Sequence, residues 1–410
     1  MFDVKKIRQD FPMLVKADNS EHPVAYLDNA ATTFKPQSVV DAVVHYYTEE
    51  SVNIHRGDYD LSYQVSDEYE KARATIARFL NADEKEVVFT SGASASLNLV
   101  AYGWGQTFLK KGDVILSSEA EHASNILPWM KAAEETGAVI EYIELTDEGE
   151  LTVENFKKAI HDKVKVVAIA HITNVLGFIA PIKEIAKIAH EYGALVSVDG
   201  AQSVPHIKSD VKDWDIDFLA FSAHKMCGPT GVGILYGKYH LLEEMKPFML
   251  GGGSNARFDI CGNIQLKNAP FKFEAGTPAI EAVLGFKAAV EYLESVGMDN
   301  IEKAEHELRV YLVNELSKME HVTIYNPHAA TGIVTINVKD IFAQDVAVYL
   351  NSKGIAVRAG NHCAKILVEL IKTGETVRIS LNFYNTKEEV DRVIDALRTI
   401  TLEQCIDLYL

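Results

Sequence analysis

Between residues 85 and 240 the chain repeats one pattern, a short apolar run followed by a longer stretch of helical character. The runs fall at 86–90, 113–117, 139–144, 164–170, 194–198, 218–221 and 233–236. Such runs, separated by helices, are strands covered on both faces, which predicts an α/β fold built on a mostly parallel sheet. That prediction also says where function sits, because ligands of these sheets lie beyond the carboxyl ends of the strands. Thr90, Ser117, Asp199 and Ser222 fall at or just after such ends and so share one sheet edge.

Residues 250–275 break the rhythm with Gly251-Gly252-Gly253, few apolar repeats and Pro270, and read as a loop or hairpin rather than a linker. Helical spacing returns at Ile301, Ala304, Leu308, Leu312 and Leu316. Strands are then expected at 322–325, 332–337, 355–358 and 377–380, with a helix at 343–353. The last helix opens on Thr386-x-x-Glu389, a capping box. The expected organisation is an N-terminal segment over 1–20 packing on the small domain, a large domain over 21–290, and a smaller α+β domain over 291–410.

With 410 residues, 48% hydrophobic and 24% charged, the chain has the composition of a folded globular protein with ample core. A net charge of −18 without basic clusters argues against nucleic acid as a partner. No apolar run approaches the ~18 residues needed to span a membrane, and the first residues lack the apolar core of a secretory signal. Cys227, Cys261, Cys363 and Cys405 show neither metal-ligand nor disulfide spacing, so a reducing, cytoplasmic setting is expected.

Two strand ends carry the sharpest chemistry. One run ends in Asp199 of Val198-Asp199-Gly200-Ala201-Gln202; another ends in Ser222-Ala223-His224-Lys225. A lysine after so apolar a strand loses its proton readily and becomes a nucleophile for an aldehyde. A neighbouring carboxylate suits the ring nitrogen of pyridoxal phosphate, which it keeps protonated. Ser91-Gly92-Ala93-Ser94 is a glycine turn opening a helix, a place for a phosphate, although such a turn is more often a plain N-cap. Ser222 and His224 add donors there. His122 follows another strand end and is either structural or a ring-stacking proton carrier. Asn174 ends a further strand, where it serves turn geometry or a ligand. In the smaller domain, Arg358-Ala359-Gly360-Asn361-His362-Cys363 sets a thiol near an arginine and a histidine, the setting of a nucleophilic thiolate rather than an inert core cysteine. Arg378 offers a planar fork for a carboxylate or, more plainly, a salt bridge.

Taken together these segments resemble the pyridoxal-phosphate-dependent cysteine desulfurases of the class V aminotransferase family, fold type I, specifically the Suf-associated subgroup. The resemblance runs over essentially the whole chain. It rests on Tyr26-Leu-Asp28-Asn-Ala-Ala31-Thr, Asn53-Ile-His55-Arg56-Gly57, the Asp199 and Lys225 segments, and Phe273-Glu-Ala-Gly-Thr277-Pro278. It implies that Lys225 holds the cofactor as an imine, Asp199 pairs with the ring nitrogen, Gln202 contacts the ring hydroxyl and His122 stacks on the ring. It further implies that the Ala93 backbone, Ser94, Ser222 and His224 bind the phosphate, with Thr277 reaching in from the second subunit of a homodimer. Asn174, Arg358 and Arg378 would hold the carboxylate of L-cysteine, and Cys363 would take the sulfur as a persulfide for iron-sulfur cluster assembly. Arg358 and Arg378 bracket Cys363 compactly, which is similar to the Suf-like group and implies a dedicated acceptor protein of the SufE or SufU kind.

Three segments depart from the family pattern. The phosphate turn usually reads Gly-Thr-Thr and here reads Gly92-Ala93-Ser94. The loop usually reads His-His-Cys-Ala-x-Pro and here reads Asn361-His362-Cys363-Ala364-Lys365-Ile366, and the segment after Gly251 lacks Met-Ile. A selenocysteine lyase on the same scaffold is the near alternative, since selenium leaves without help from Cys363. An aminotransferase or Cβ-lyase has no need of the thiol. A non-catalytic sulfur-relay partner has no need of Lys225, Asp199 and His122.

Overall fold

The computed structural model describes residues 2–408. Its larger sheet has seven strands: β1 (Val87–Thr90), β2 (Val114–Ser118), β3 (Val139–Ile143), β4 (Val164–Ala170), β5 (Leu195–Asp199), β6 (Phe218–Ser222) and β7 (Gly233–Gly237). They lie in the order β1-β7-β6-β5-β4-β2-β3, parallel throughout except for β7, which runs antiparallel to both neighbours. Strand side chains alternate between faces: Val87 and Phe89 enter one apolar cluster with Phe221 and Phe286, while Val88 enters the opposite one with Leu99 and Trp129. Both faces are therefore covered, which is why the strands read as nearly continuous apolar runs.

The expected break at 250–275 is a hairpin of Asn255–Phe258 against Ile264–Leu266. Two long helices follow, Ile280–Val296 and Met298–Leu316. A second sheet contains β8 (Val322–Ile324), β9 (Ile333–Val338), β10 (Arg358–Gly360) and β11 (Thr376–Ser380), antiparallel in the order β8-β9-β11-β10. The helix Ala343–Ser352 packs beside it, and the helix Lys387–Thr399 opens on the expected reciprocal cap between Thr386 and Glu389. The N-terminal segment is tied to this end of the molecule. Arg8 donates to the Tyr384 carbonyl at 2.8 Å and to Glu389 at 3.1 Å. Ala25 and Tyr26 pair in parallel with Ile355 and Ala356, and Asp28 bridges to Ser380, so this early stretch is stitched to the second sheet.

Candidate active site

The carboxyl ends of β4, β5 and β6 open onto a cavity of about 240 Å³. Ala93, Ser94, His122, Asn174, Asp199, Gln202, Ser222, His224, Lys225, Arg358 and Arg378 all line it. Eleven of the thirteen residues singled out from sequence thus meet in one place, contributed by both sheets. Cys363 does not itself line the cavity; its Sγ lies 3.7 Å from an amino group of Arg358, which does. Thr277 is not at this cavity: it is exposed, and Asn53 Nδ2 donates to its hydroxyl at 3.3 Å.

Lys225 ends a single turn, Ala223–Lys225, that follows the fully buried β6. Burial is the main force on its amine and pulls it down to about 8; Arg378 and Arg358 act in the same direction, and Asp199 opposes them. Asp199, at the end of β5, is 6% exposed and accepts the Ala201 amide at 2.9 Å. Burial raises its pKa, with the Ala201 amide and Lys225 pulling the other way. A carboxylate in so dry a setting gains most from a cationic N–H partner. Gln202 donates to the Ala30 carbonyl at 2.8 Å, which leaves its buried Oε1 without a partner among the described residues.

His122 caps the helix α2 (Ala123–Thr136), its Nδ1 accepting the Ser124 amide at 3.0 Å. That bond assigns the ring proton to Nε2. Burial first, then the charges of Lys225, Arg358 and Arg378, lower His122 to about 4, so the ring is neutral at neutral pH. His224 is likewise held down to about 4, chiefly by burial.

The turn at Gly92 is set by close backbone approach. Gly92 has φ of +151° and caps the helix α1 (Ala93–Val100), whose first amide donates to Ser222 Oγ at 2.7 Å. A Cβ on Gly233 of β7 would lie 2.5 Å from Gly92 Cα, so a glycine there lets the turn sit against the sheet. The Ser94 hydroxyl lies 2.7 Å from that of Ser124. Sequence reasoning missed Ser124. A hydroxyl two residues beyond a histidine at a helix start was a readable signal, but it reads equally as helix capping.

The second sheet supplies the cations. Arg358 and Arg378 are direct partners across β10 and β11. Arg378 is 1% exposed; it donates to the Asn174 carbonyl at 2.9 Å and to Asp28 at 3.1 Å, and its buried Nε has no partner among the described residues. Asp28 was quoted from the sequence only as part of a motif; its role is to aim Arg378. Asn174, which lines the cavity, donates to the His362 carbonyl at 2.7 Å and keeps a buried Oδ1 without a partner among the described residues. Around Cys363 the backbone is unusual: His362 and Cys363 have φ of 52° and 59°. Three ties hold it there. The Ala123 amide donates to the Cys363 carbonyl at 2.8 Å, Asn174 grips the His362 carbonyl, and His362 Nε2 is 2.9 Å from Thr376 Oγ1.

This arrangement fits pyridoxal phosphate: an amine of lowered pKa, a buried carboxylate for a ring N–H, an orphaned amide oxygen for a ring O–H, and a helix start lined with hydroxyls for the phosphate. The aminotransferase class-V family model matches residues 25–393. A "probable cysteine desulfurase" of Halalkalibacterium halodurans is 45% identical, with 96% of each chain covered. The apo structure of a cysteine desulfurase from Thermococcus onnurineus superposes with a TM-score of 0.92 at 38% identity, covering 97% of this chain and 98% of that one. The cysteine desulfurase CsdA of Escherichia coli, in its S-sulfonic acid form, gives 0.90 at 34% identity over 100% and 99%. The chain therefore belongs to the class V aminotransferase family, in its cysteine desulfurase branch.

Proposed function

We propose that this protein converts L-cysteine to L-alanine and holds the released sulfur as a persulfide on Cys363, for transfer to an acceptor in iron-sulfur cluster assembly. The observation that carries the reading is a low-pKa lysine in the cavity together with a thiol in contact with Arg358, which lines that same cavity.

When bound, pyridoxal phosphate supplies an electron sink that labilises bonds at the substrate's α-carbon. Lys225 would hold the cofactor, and its free amine would then move the Cα proton, a task suited to an amine near 8. Arg378 and Arg358 would orient the substrate carboxylate, and the neutral His122 would pass a proton through its Nε2. Cys363, its sulfur against Arg358, would attack the substrate sulfur; the sulfur–sulfur bond forms as the carbon–sulfur bond breaks, the thiol proton is released, and carbon keeps the electron pair and takes a proton. Cysteine plus enzyme thiol thus balances alanine plus enzyme persulfide.

The finer reading is a Suf-type, cytoplasmic homodimer that hands sulfur to an acceptor of the SufE or SufU kind. The five-residue step from Arg358 to Cys363 supports it, because so short a span keeps the persulfide at the cavity. Exposed Phe248, Met249, Leu250 and Ile260 support a partner subunit over the hairpin region. Among the described residues no helix is long and apolar enough to cross a membrane.

The test is Cys363→Ala. It is expected to keep the visible absorbance of the lysine-bound cofactor while losing persulfide formation and sulfide release from L-cysteine. Undiminished persulfide turnover in that variant would sink the assignment. Retained activity on selenocysteine alone would point instead to a selenocysteine lyase.

A further inference from the structure

Two helices, not one, begin at the phosphate end of the cavity. α1 starts at Ala93 and α2 at Ala123, and Ser94 and Ser124 project from their first turns to within 2.7 Å of each other. Both hydroxyls line the cavity, Ser94 exposed to it and Ser124 half-buried, so this is not a core hydrogen bond. In a hydroxyl pair one O–H donates to the other, which leaves one proton free for a third group. An anion at the pair satisfies both hydroxyls at once and meets the positive ends of two helix dipoles. Ala93 contributes no side-chain donor, its amide is already committed to Ser222 Oγ, and the hydroxyl that Ser94 meets is that of Ser124.

We infer that Ser124 is a phosphate-binding residue of this site, donating its hydroxyl to the anionic end of the cofactor beside Ser94. The inference rests on the reading that the cavity takes pyridoxal phosphate. It also gives α2 a function: the residue that grips the phosphate lies two positions from His122, and its amide fixes the His122 ring. Phosphate binding and ring orientation are thereby carried by one turn of helix.

The experiment is titration of cofactor-stripped protein with pyridoxal phosphate and, separately, with pyridoxal, read by visible absorbance and by the dissociation constant. Ser124→Ala should weaken pyridoxal phosphate binding about tenfold, the loss of one hydrogen bond to a charged group, and leave pyridoxal binding unchanged. Ser124→Thr, which keeps the hydroxyl, should bind both as wild type does. Unchanged pyridoxal phosphate affinity in Ser124→Ala overturns the inference. So does equal weakening toward both ligands, which would make Ser124 a packing or ring-positioning residue. Wild-type protein that forms no visible band with pyridoxal phosphate would defeat the cofactor reading itself, an outcome distinct from either.

Discussion

Lys225 is carried by a short turn after a fully buried strand, whereas Cys363 sits on an exposed loop with two consecutive residues at left-handed angles. The difference matches what each side chain would have to do in the proposed reaction. An amine that must shed a proton near neutral pH needs a dry, fixed setting, which a strand end in the middle of a sheet provides. A thiol that must receive sulfur inside the cavity and yield it to another molecule needs to reach the surface. A backbone strain on the order of 1–3 kcal/mol for each such residue is tolerated only where the surroundings hold it. Here they do, through the Ala123 amide, Asn174 and Thr376. Two of those three ties come from the large-sheet side, so the exposed half is positioned by the buried half.

The sharpest way to break this comparison is Lys225→Ala. Alanine formation and persulfide formation should fall together, by about 10³-fold or more, because sulfur chemistry waits on the carbon step. Cofactor should still be retained through Asp199 and the phosphate cup, but without the visible band of the lysine-bound form. Persulfide accumulating on Cys363 at a normal rate in that variant would show the two halves to be independent.

Arg378 belongs to both halves, and Arg378→Lys separates them. A lysine cannot span the Asn174 carbonyl and Asp28 while also serving a substrate carboxylate, since it lacks the planar fork. The expected result is a rise in KM for L-cysteine of about tenfold to a hundredfold, the worth of a charge-assisted hydrogen bond, with a smaller change in kcat. A fall in kcat at unchanged KM would mean that Arg378 acts on the Cys363 loop rather than on the substrate.

How much of this was legible in the sequence depended on whether the information was local. The seven strands, the capping box at Thr386 and the turn at Gly92 announce themselves within a few residues, and the strand-end rule then gathered Asp199, Ser222 and Lys225 without any long-range contact. The reversed direction of β7 was not legible, because an apolar run carries no sign of orientation. Nor was the pairing of Asp28 with Arg378 or of Ser94 with Ser124, since a helix start and a salt bridge read the same whether or not a partner faces them. Cys363 was found through its polar neighbours. That Arg358 rather than His362 is the group in contact with its sulfur came only from the fold, which turns His362 inward to Thr376.

That inward turn makes His362 the most sensitive acid-side weakness of the sulfur half. It is 1% exposed, and burial, helped by Arg378 and Arg358, lowers it to about 3. An unfolded chain protonates its histidines near 6.5, so below that pH the unfolded state binds a proton that the folded state refuses. Stability is therefore fully present above about pH 6.5 and is lost as pH falls toward 3, with a limiting slope of about 1.4 kcal/mol per unit. His122 and His224 act with the same sign but open onto the cavity, where solvent screens the effect. Between about pH 7 and pH 5 His362 alone should cost ~2 kcal/mol. His362→Asn, which keeps a donor for Thr376 and has no proton to take up, should flatten the pH dependence of urea unfolding by that amount. An unaltered slope would mean that His362 is free to protonate in the folded protein, and that the loop is held by Asn174 and the Ala123 amide alone.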